Sequence, residues 1–246
     1  MTLTGTNTYL IGDDSGNVAV VDPGPDDIPS HLETILEKAR PLGQISVVIV
    51  THRHLDHLPA ATPLCQRTGA ELYGHPDLPG VQHALADGVV AFDRLVALYT
   101  PEHTRDSVCL WNPSDHDLFT GDLVLGTGTA VLDDAPGALA DYLDSLDRLR
   151  ELEPRTIYPG HGPIVEDGAD KLTEYYNHRQ QRVRQVVDAL ESLGPSTPEQ
   201  LAAAIYVDVA PNLLPAAARN VRANLDMLLG QSRVERLDGD RWQLRT

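Results

Sequence analysis

Cysteine is scarce in this sequence, and long apolar runs are missing. The 246 residues include two cysteines, Cys65 and Cys109, and their spacing matches no cysteine metal site. No stretch approaches the roughly 18 to 20 apolar residues of a membrane span. Residues 1–7 lack the basic and then apolar pattern of a secretory signal. These absences predict a reduced, cytoplasmic protein without a membrane segment.

Positive charge is also in short supply, since the formal net charge is −17. From Thr197 onward six acidic residues balance six arginines, so the whole excess of negative charge lies in residues 1–196. A field of this sign repels polyanions, which weighs against broad nucleic-acid binding. Bound divalent cations would offset the charge locally.

Apolar patterns predict strands and helices that alternate over residues 1–194. Strand pairs in series with helices between them favour an α/β fold in which helices cover two sheets. Residues 75–93 fit neither pattern. Strands are predicted at 7–11, 17–21, 45–50, 70–73, 95–99, 107–111, 117–120 and 156–158, and helices at 30–39, 59–68, 138–151 and 169–193.

Residues 195–246 are predicted to form a separate small domain. Thr197-Pro198-Glu199-Gln200 has the sequence of a helix capping box, and a second helical pattern follows Pro215. Residues 234–237 and 241–244 flank an Asp238-Gly239 turn and predict a β-hairpin. Helices followed by a two-stranded ribbon indicate a winged helix. Because its charge is balanced, we favour a packing or substrate-shaping role over DNA binding.

Three imidazoles and one carboxylate lie within residues 51–57, directly after the apolar strand 45–50. Imidazole and carboxylate together suit divalent first-row metals, zinc above all. A single histidine is more often structural, but four potential ligands this close together are hard to explain in that way. The four residues are His52, His54, Asp56 and His57.

Later strands end in the same manner. His103 follows strand 95–99, Asp122 follows strand 117–120 and His161 follows strand 156–158. A glycine or proline that permits a sharp turn lies close to each. Because the pattern recurs at several strand ends, we expect these side chains to complete a two-metal site.

The series His52-x-His54-x-Asp56-His57, His103, Asp122 and His161 resembles the five-motif signature of the metallo-β-lactamase superfamily, and Asp22 fits the first motif. The resemblance covers nearly the whole chain. It implies an αββα sandwich over residues 1–194, with a dinuclear zinc site at one edge. Iron and manganese are alternative metals for the same ligands.

The family pattern also implies a role for each residue. One metal is held by His52, His54 and His103. The second is held by Asp56, His57 and His161, while Asp122 bridges the two. Asp22 orients the cluster through hydrogen bonds. A hydroxide that bridges the metals is the implied nucleophile, oriented by Asp56 and Asp122 as catalytic residues. Thr129, His178 and Arg179 are candidates for substrate contacts, and the favoured alternative for each is a structural role.

Within the superfamily, residues 5–10, 121–129 and 157–163 resemble the β-lactamase-like protein 2 subgroup, in which some relatives cleave single-stranded RNA. The main expectation is therefore phosphodiester cleavage. The alternative is a thioester or ester hydrolase of a small anionic metabolite, as in the glyoxalase II branch. A non-catalytic winged-helix binding protein is a third hypothesis, which the complete ligand set disfavours.

Four features depart from related patterns. Asp122 replaces the cysteine of the zinc β-lactamases, which argues against antibiotic hydrolysis. The cluster lacks the glutamate of the di-iron electron-transfer branch. Glu102 stands where the family has glycine. The chain also begins almost at strand 7–11, where relatives carry a further N-terminal strand, so either the start was set late or an edge of the first sheet is missing.

Overall fold

The computed structural model describes residues 5–101, 104–129 and 135–245, and the chain forms two compact units. The first unit comprises residues 1–131 and 148–172, and the second comprises residues 132–147 and 173–246. The predicted domain of residues 195–246 falls within the second unit. Its boundary after residue 194 stays a prediction.

The first unit contains two five-stranded sheets. In the first sheet β1 pairs antiparallel with β2, and β2 to β5 run parallel to one another. The first sheet has the order β1 (Tyr9–Gly12), β2 (Asn17–Val21), β3 (Gln44–Ile49), β4 (Glu71–Gly74) and β5 (His83–Ala84).

The second sheet is antiparallel except where β10 joins it. β6 to β9 form a meander, and β10 lies parallel to β9 at the far edge. Its strands are β6 (Val90–Phe92), β7 (Leu95–Tyr99), β8 (Val108–Asn112), β9 (Asp117–Gly121) and β10 (Thr156–Pro159), in the spatial order β10-β9-β8-β7-β6.

Both faces of the first sheet are buried at β2 and β3, which explains why residues 18–21 and 47–49 are apolar. Alternate residues such as Val18 and Val48 pack with Ile35 of α1 (Pro29–Ala39) and Leu64 of α2 (Ala61–Thr68). The intervening residues of β2 and β3 pack on Ala97, Leu110 and Phe119 of the second sheet. Helices, first sheet and second sheet therefore form successive layers.

Two short strands were not predicted. β5 has two residues and β6 has three, so neither is long enough to show the alternation by which strands are recognised. Both lie in the unassigned region 75–93. The other predicted strands and helices are confirmed, with ends shifted by a few residues.

The second unit contains two consecutive helices followed by a hairpin. α5 (Pro198–Ile205) begins with the predicted capping box, and α6 (Leu214–Gly230) has Pro215 in its first turn. The hairpin strands β11 (Val234–Leu237) and β12 (Arg241–Leu244) pair antiparallel, and Trp242 is buried. Two longer helices, α3 (Ala138–Arg150) and α4 (Gly168–Leu193), contribute residues to both units.

Across the described residues, no helix combines the length and apolar character that crossing a membrane requires. The predicted cytoplasmic location stays a prediction.

Candidate metal centre

The candidate ligands lie where strands of the two sheets end. Asp22 follows β2, residues 51–57 follow β3, Asp122 follows β9 and His161 follows β10. Each residue comes directly after, or within a few residues of, the carboxyl end of its strand. The distances between these side chains show that the strand ends meet at one edge of the first unit.

Two groups of side chains are close enough together to be candidate metal sites. His52, His57 and Asp122 form the first group, and Asp56, His57 and His161 form the second. In each group the potential ligand atoms all lie within 4.8 Å of one another. His57 belongs to both groups, so the two sites are adjacent.

Asp122 joins the two groups through its two carboxylate oxygens. Oδ2 lies 3.8 Å from Nε2 of His52. Oδ1 lies 3.4 Å from Nε2 of His57 and 3.4 Å from Nε2 of His161. One oxygen therefore faces His52, and the other faces His57 and His161.

The structure brings together five of the seven predicted ligands. The ring of His54 lies beside them, with its centroid 4.6 Å from that of His52. His103 and Glu102 lie outside the described residues. The five that converge are His52, Asp56, His57, Asp122 and His161.

Hydrogen bonds fix the tautomers of three of these histidines. Nδ1 of His57 donates to Oδ2 of Asp22 over 2.9 Å, and Nδ1 of His161 donates to the carbonyl oxygen of Gly5 over 2.8 Å. Nδ1 of His52 lies 3.0 Å from Oγ1 of Thr51. Because Nδ1 carries the hydrogen, Nε2 of each neutral ring presents a lone pair to the centre, and a neutral imidazole nitrogen is what a metal binds.

Asp22 organises the centre without belonging to either group. Its carboxylate accepts from the Thr51 amide and the Thr51 hydroxyl, both over 2.8 Å, in addition to His57. Since the Thr51 hydroxyl donates to Asp22, its oxygen is left to accept from His52. Asp22 itself has a φ of 50°, which is uncommon for a residue other than glycine. This strained turn at the end of β2 places the carboxylate against His57 and Thr51.

The pKa values of the histidines and of Asp122 are shifted in different directions. Burial and the neighbouring His57 lower the pKa of His52 to about 3. Burial also opposes protonation of His57, but Asp22 and Asp122 raise its pKa to about 10. Burial disfavours the charged form of Asp122, yet hydrogen bonds from His161 and His57 hold its pKa well below the usual range. His52 is therefore ready to bind a cation, whereas a metal at His57 must displace a proton.

Two glycines allow the loops to approach each other. A Cβ at Gly160 would lie 2.5 Å from Oδ1 of Asp122 and 2.8 Å from Cε1 of His57. At Gly121 φ is +49° and a Cβ would lie 2.7 Å from Oγ1 of Thr51. A side chain at Gly160 would displace Asp122 or His57, and a side chain at Gly121 would displace Thr51.

Sequence reasoning assigned no role to Thr51, Thr6 or Asn7, which contact the ligands or their loops. Thr51 mediates between Asp22 and His52, and Thr6 donates to Oδ2 of Asp56 over 3.0 Å. For Thr51 the available signal was its position as a polar residue at the end of a buried strand. Thr6 and Asn7 lie far from the ligands in sequence, and their signal was the resemblance of residues 5–10 to the subgroup, which assigned them no role.

Arg53, between His52 and His54, forms an ion pair with Asp106. Nε of Arg53 donates to Oδ1 of Asp106 over 2.5 Å, and the Asp106 side chain is completely buried while that of Arg53 is 55% exposed. The pair therefore ties the histidine loop to the segment that precedes β8.

The three predicted substrate contacts lie in different surroundings. Thr129 is exposed in the first unit, at the end of a described segment. His178 and Arg179 lie on α4 in the second unit, where Arg179 is buried with its guanidinium carbon 5.1 Å from the centre of the Tyr142 ring. Their predicted roles stay predictions.

The sequence matches the family model of the Metallo-beta-lactamase superfamily over residues 1–81 and 75–161, more than half of the chain. The chain belongs to the metallo-β-lactamase superfamily. Residues 197–242 match the Beta-lactamase associated winged helix domain, so the predicted winged helix is confirmed.

This metallo-β-lactamase superfamily member is 34% identical to the Beta-lactamase-like protein 2 homolog of Drosophila melanogaster, over 93% of this chain and 83% of that protein. It is 35% identical to the Atrochrysone carboxyl ACP thioesterase of Aspergillus fumigatus, over 78% of this chain and 62% of that protein. A metallo-beta-lactamase family protein from Thermus thermophilus has the same fold, with a TM-score of 0.75 and 24% identity over 98% of this chain and 94% of that one.

These similarities confirm the predicted superfamily, its fold and the resemblance to β-lactamase-like protein 2. They also confirm that the protein is an enzyme, a metallohydrolase of the metallo-β-lactamase superfamily. The imidazoles and carboxylates of the two groups form a candidate site for divalent metals, which members of the superfamily bind.

Proposed function

We propose that this protein is a dinuclear zinc-dependent hydrolase. The observation that carries the proposal is the position of Asp122, whose two oxygens face His52 on one side and His57 and His161 on the other. Because its two oxygens lie near ligands of both groups, this carboxylate supports a site for two ions over a site for one.

The donor set fits zinc. Lone pairs on imidazole Nε2 atoms and carboxylate oxygens are ligands that Zn²⁺ prefers. We assign His52, His54 and His103 to one ion, Asp56, His57 and His161 to the other, and Asp122 to both. When bound, such ions lower the pKa of water and stabilise negative charge on the reacting oxygen.

The two carboxylates have distinct proposed roles. The Asp122 side chain is 12% exposed and is held between three histidines, which suits a fixed bridge. The Asp56 side chain is 20% exposed. We therefore propose that Asp56 orients the attacking water and receives its proton. Thr129, His178 and Arg179 remain proposed substrate contacts.

The first candidate reaction is cleavage of a phosphodiester in single-stranded RNA. It rests on the resemblance to the β-lactamase-like protein 2 subgroup. The net charge of −17 opposes an extended polyanion, so we expect contacts to a short stretch of nucleotides near the centre.

The second candidate reaction is hydrolysis of a thioester or ester in a small anionic substrate. A specific observation favours it, because the relative from Aspergillus fumigatus is named as an acyl carrier protein thioesterase. Attack on a thioester carbonyl requires the same activated water and the same stabilisation of developing charge.

Parallel turnover assays separate the candidates. The zinc-loaded protein is tested with bis-p-nitrophenyl phosphate, a single-stranded RNA oligonucleotide and an acyl thioester. His57→Ala and Asp122→Ala are expected to lose activity and bound zinc together, as measured by turnover and by elemental analysis. His83→Ala is the matched control, because His83 stacks on Tyr73 and lies outside both groups.

Preference for the RNA supports the first reaction, and preference for the thioester supports the second. If His57→Ala or Asp122→Ala kept both zinc and activity, the dinuclear proposal would be wrong. A wild-type protein that turned over none of the three substrates would contradict both candidate reactions.

A further inference from the structure

Residues 5–7 pass between the loop that carries Asp56 and the loop that carries His161. Neither group of candidate ligands includes these residues. They nevertheless form hydrogen bonds with both loops. We name Gly5, Thr6 and Asn7 the N-terminal segment.

The N-terminal segment holds the His161 ring from the side opposite the centre. The carbonyl oxygen of Gly5 accepts a hydrogen bond of 2.8 Å from Nδ1 of His161. Thr6 forms an antiparallel β-bridge with His161. The ring is thereby fixed with Nε2 toward Asp56, 3.2 Å from its Oδ2, and toward Asp122.

Asn7 holds the backbone of the same loop on both sides of His161. Its side-chain amide donates to the carbonyl oxygens of Pro159 over 2.9 Å and Gly162 over 2.8 Å. Its backbone amide donates to the carbonyl oxygen of Gly160 over 2.7 Å. Both hydrogens of the side-chain amide are used, so the loop conformation and the Asn7 rotamer determine each other.

Thr6 forms a hydrogen bond with the loop that carries Asp56. Its hydroxyl donates to Oδ2 of Asp56 over 3.0 Å. The same oxygen lies 3.2 Å from Nε2 of His161 and 3.9 Å from Nε2 of His57. The Thr6 hydroxyl therefore selects the Asp56 rotamer that turns this oxygen toward the two histidines of its group.

We propose that Thr6 and Asn7 are positioning residues for the group formed by Asp56, His57 and His161. Thr6 sets the direction of the Asp56 carboxylate, and Asn7 fixes the loop that presents His161. The inference rests on the proposed function and deepens it, since it distinguishes one ion site from the other. The first group, around His52, is oriented instead by Thr51 and Asp22.

The test measures zinc affinity, not turnover. Metal-free wild-type protein, Thr6→Val, Thr6→Ser and Asn7→Ala are titrated with Zn²⁺ against a chromophoric chelator to obtain stepwise dissociation constants. Removing a partner of a metal ligand typically weakens binding about 10- to 100-fold. We expect a loss of this size for one equivalent in Thr6→Val and Asn7→Ala, with the other equivalent unchanged. Thr6→Ser keeps the hydroxyl and should restore wild-type affinity.

Thr34→Val is the control for loss of a threonine hydroxyl. Thr34 lies on α1, and its hydroxyl donates to the carbonyl oxygen of Ser30, away from the ligands. Unfolding of each variant in EDTA shows whether a loss of affinity merely follows a loss of folded protein. A purely structural role would lower stability in EDTA without changing zinc affinity at temperatures where the protein is folded.

The failures are distinguishable. Wild-type protein that bound one equivalent of zinc would overturn the dinuclear proposal, and this inference with it. The positioning role alone would be overturned if wild-type protein bound two equivalents of zinc and Thr6→Val and Asn7→Ala bound both with unchanged affinity. It would also be overturned if these variants bound both equivalents with equally weakened affinity.

Discussion

At the residue scale, Arg53 and Asp106 form an ion pair in which one partner is buried and the other is half-exposed. Oδ2 of Asp106 is also buried, and no described residue donates a hydrogen bond to it. The Asp106 carboxylate therefore depends on Arg53. Removing the cationic partner of a buried carboxylate lowers the free energy of unfolding, because the charge is left buried and unpaired.

Arg53→Ala should lower the free energy of unfolding by about 1–3 kcal/mol, because it leaves a buried acceptor without its donor. Urea unfolding measures the change. Arg67→Ala is the matched control, since both Arg67 and its partner Glu33 are exposed and such pairs contribute little. A loss in Arg53→Ala no larger than that in Arg67→Ala would contradict the dependence of Asp106 on Arg53.

The candidate ligands could be predicted from the sequence, but their supporting residues could not. His52, Asp56 and His57 lie within six residues after an apolar strand, a pattern that is visible without a structure. By contrast, Thr6 and Asp56 are 50 residues apart, and Asn7 and Pro159 are 152 residues apart. Hydrogen bonds of this kind leave no local pattern, because they arise only when the sheets bring distant loops together.

At the scale of elements, the capping box of α5 is the clearest local determinant. Oγ1 of Thr197 accepts from the Gln200 amide, and Oε1 of Gln200 accepts from the Thr197 amide over 2.9 Å. The preceding residue, Ser196, pairs with Trp242 of β12 through two backbone hydrogen bonds of 2.8 Å and 3.0 Å. The start of α5 is therefore also an anchor for the hairpin.

Thr197→Ala should destabilise the second unit by about 1 kcal/mol, because an amide at the helix start loses its acceptor. The signal is Trp242 fluorescence during urea unfolding in a Trp111→Phe background, since Trp242 then remains as the single tryptophan. Thr197→Ser retains the acceptor and should unfold like the parent. Equal stability of the alanine and serine variants would argue against the cap.

The elements themselves were predictable where their patterns are long. Residues 18–21 of β2 and 47–49 of β3 are continuous apolar runs, and α1 and α6 repeat apolar residues at helical spacing, so these elements were found from the sequence. β5 was not, because a two-residue strand is defined by its partner β4 and not by its own sequence.

At the scale of the whole molecule, zinc should raise the unfolding temperature. A ligand at about 100 times its dissociation constant stabilises a protein by about 2.7 kcal/mol. For a chain of this length we expect a rise of about 5–10 °C per saturated site. Trp111 fluorescence in a Trp242→Phe background follows the unit that contains both ligand groups.

Zinc should shift this transition upward, and EDTA should reverse the shift. His57→Ala should shift much less than its parent, since His57 belongs to both groups. An equal shift in His57→Ala would indicate that zinc binds elsewhere.

The position of Gly5 beside His161 has a consequence for synthesis on the ribosome. Asp56 and His161 are 105 residues apart, which corresponds to about 5–20 seconds of translation. During that interval the nascent chain contains His52, His54, Asp56 and His57 without His161, and Asp122 joins them only after Gly121 has been added. Over the same interval the carbonyl oxygen of Gly5 lacks its hydrogen-bond donor, Nδ1 of His161. The candidate metal centre can therefore be completed only after His161, which follows β10, has emerged from the ribosome.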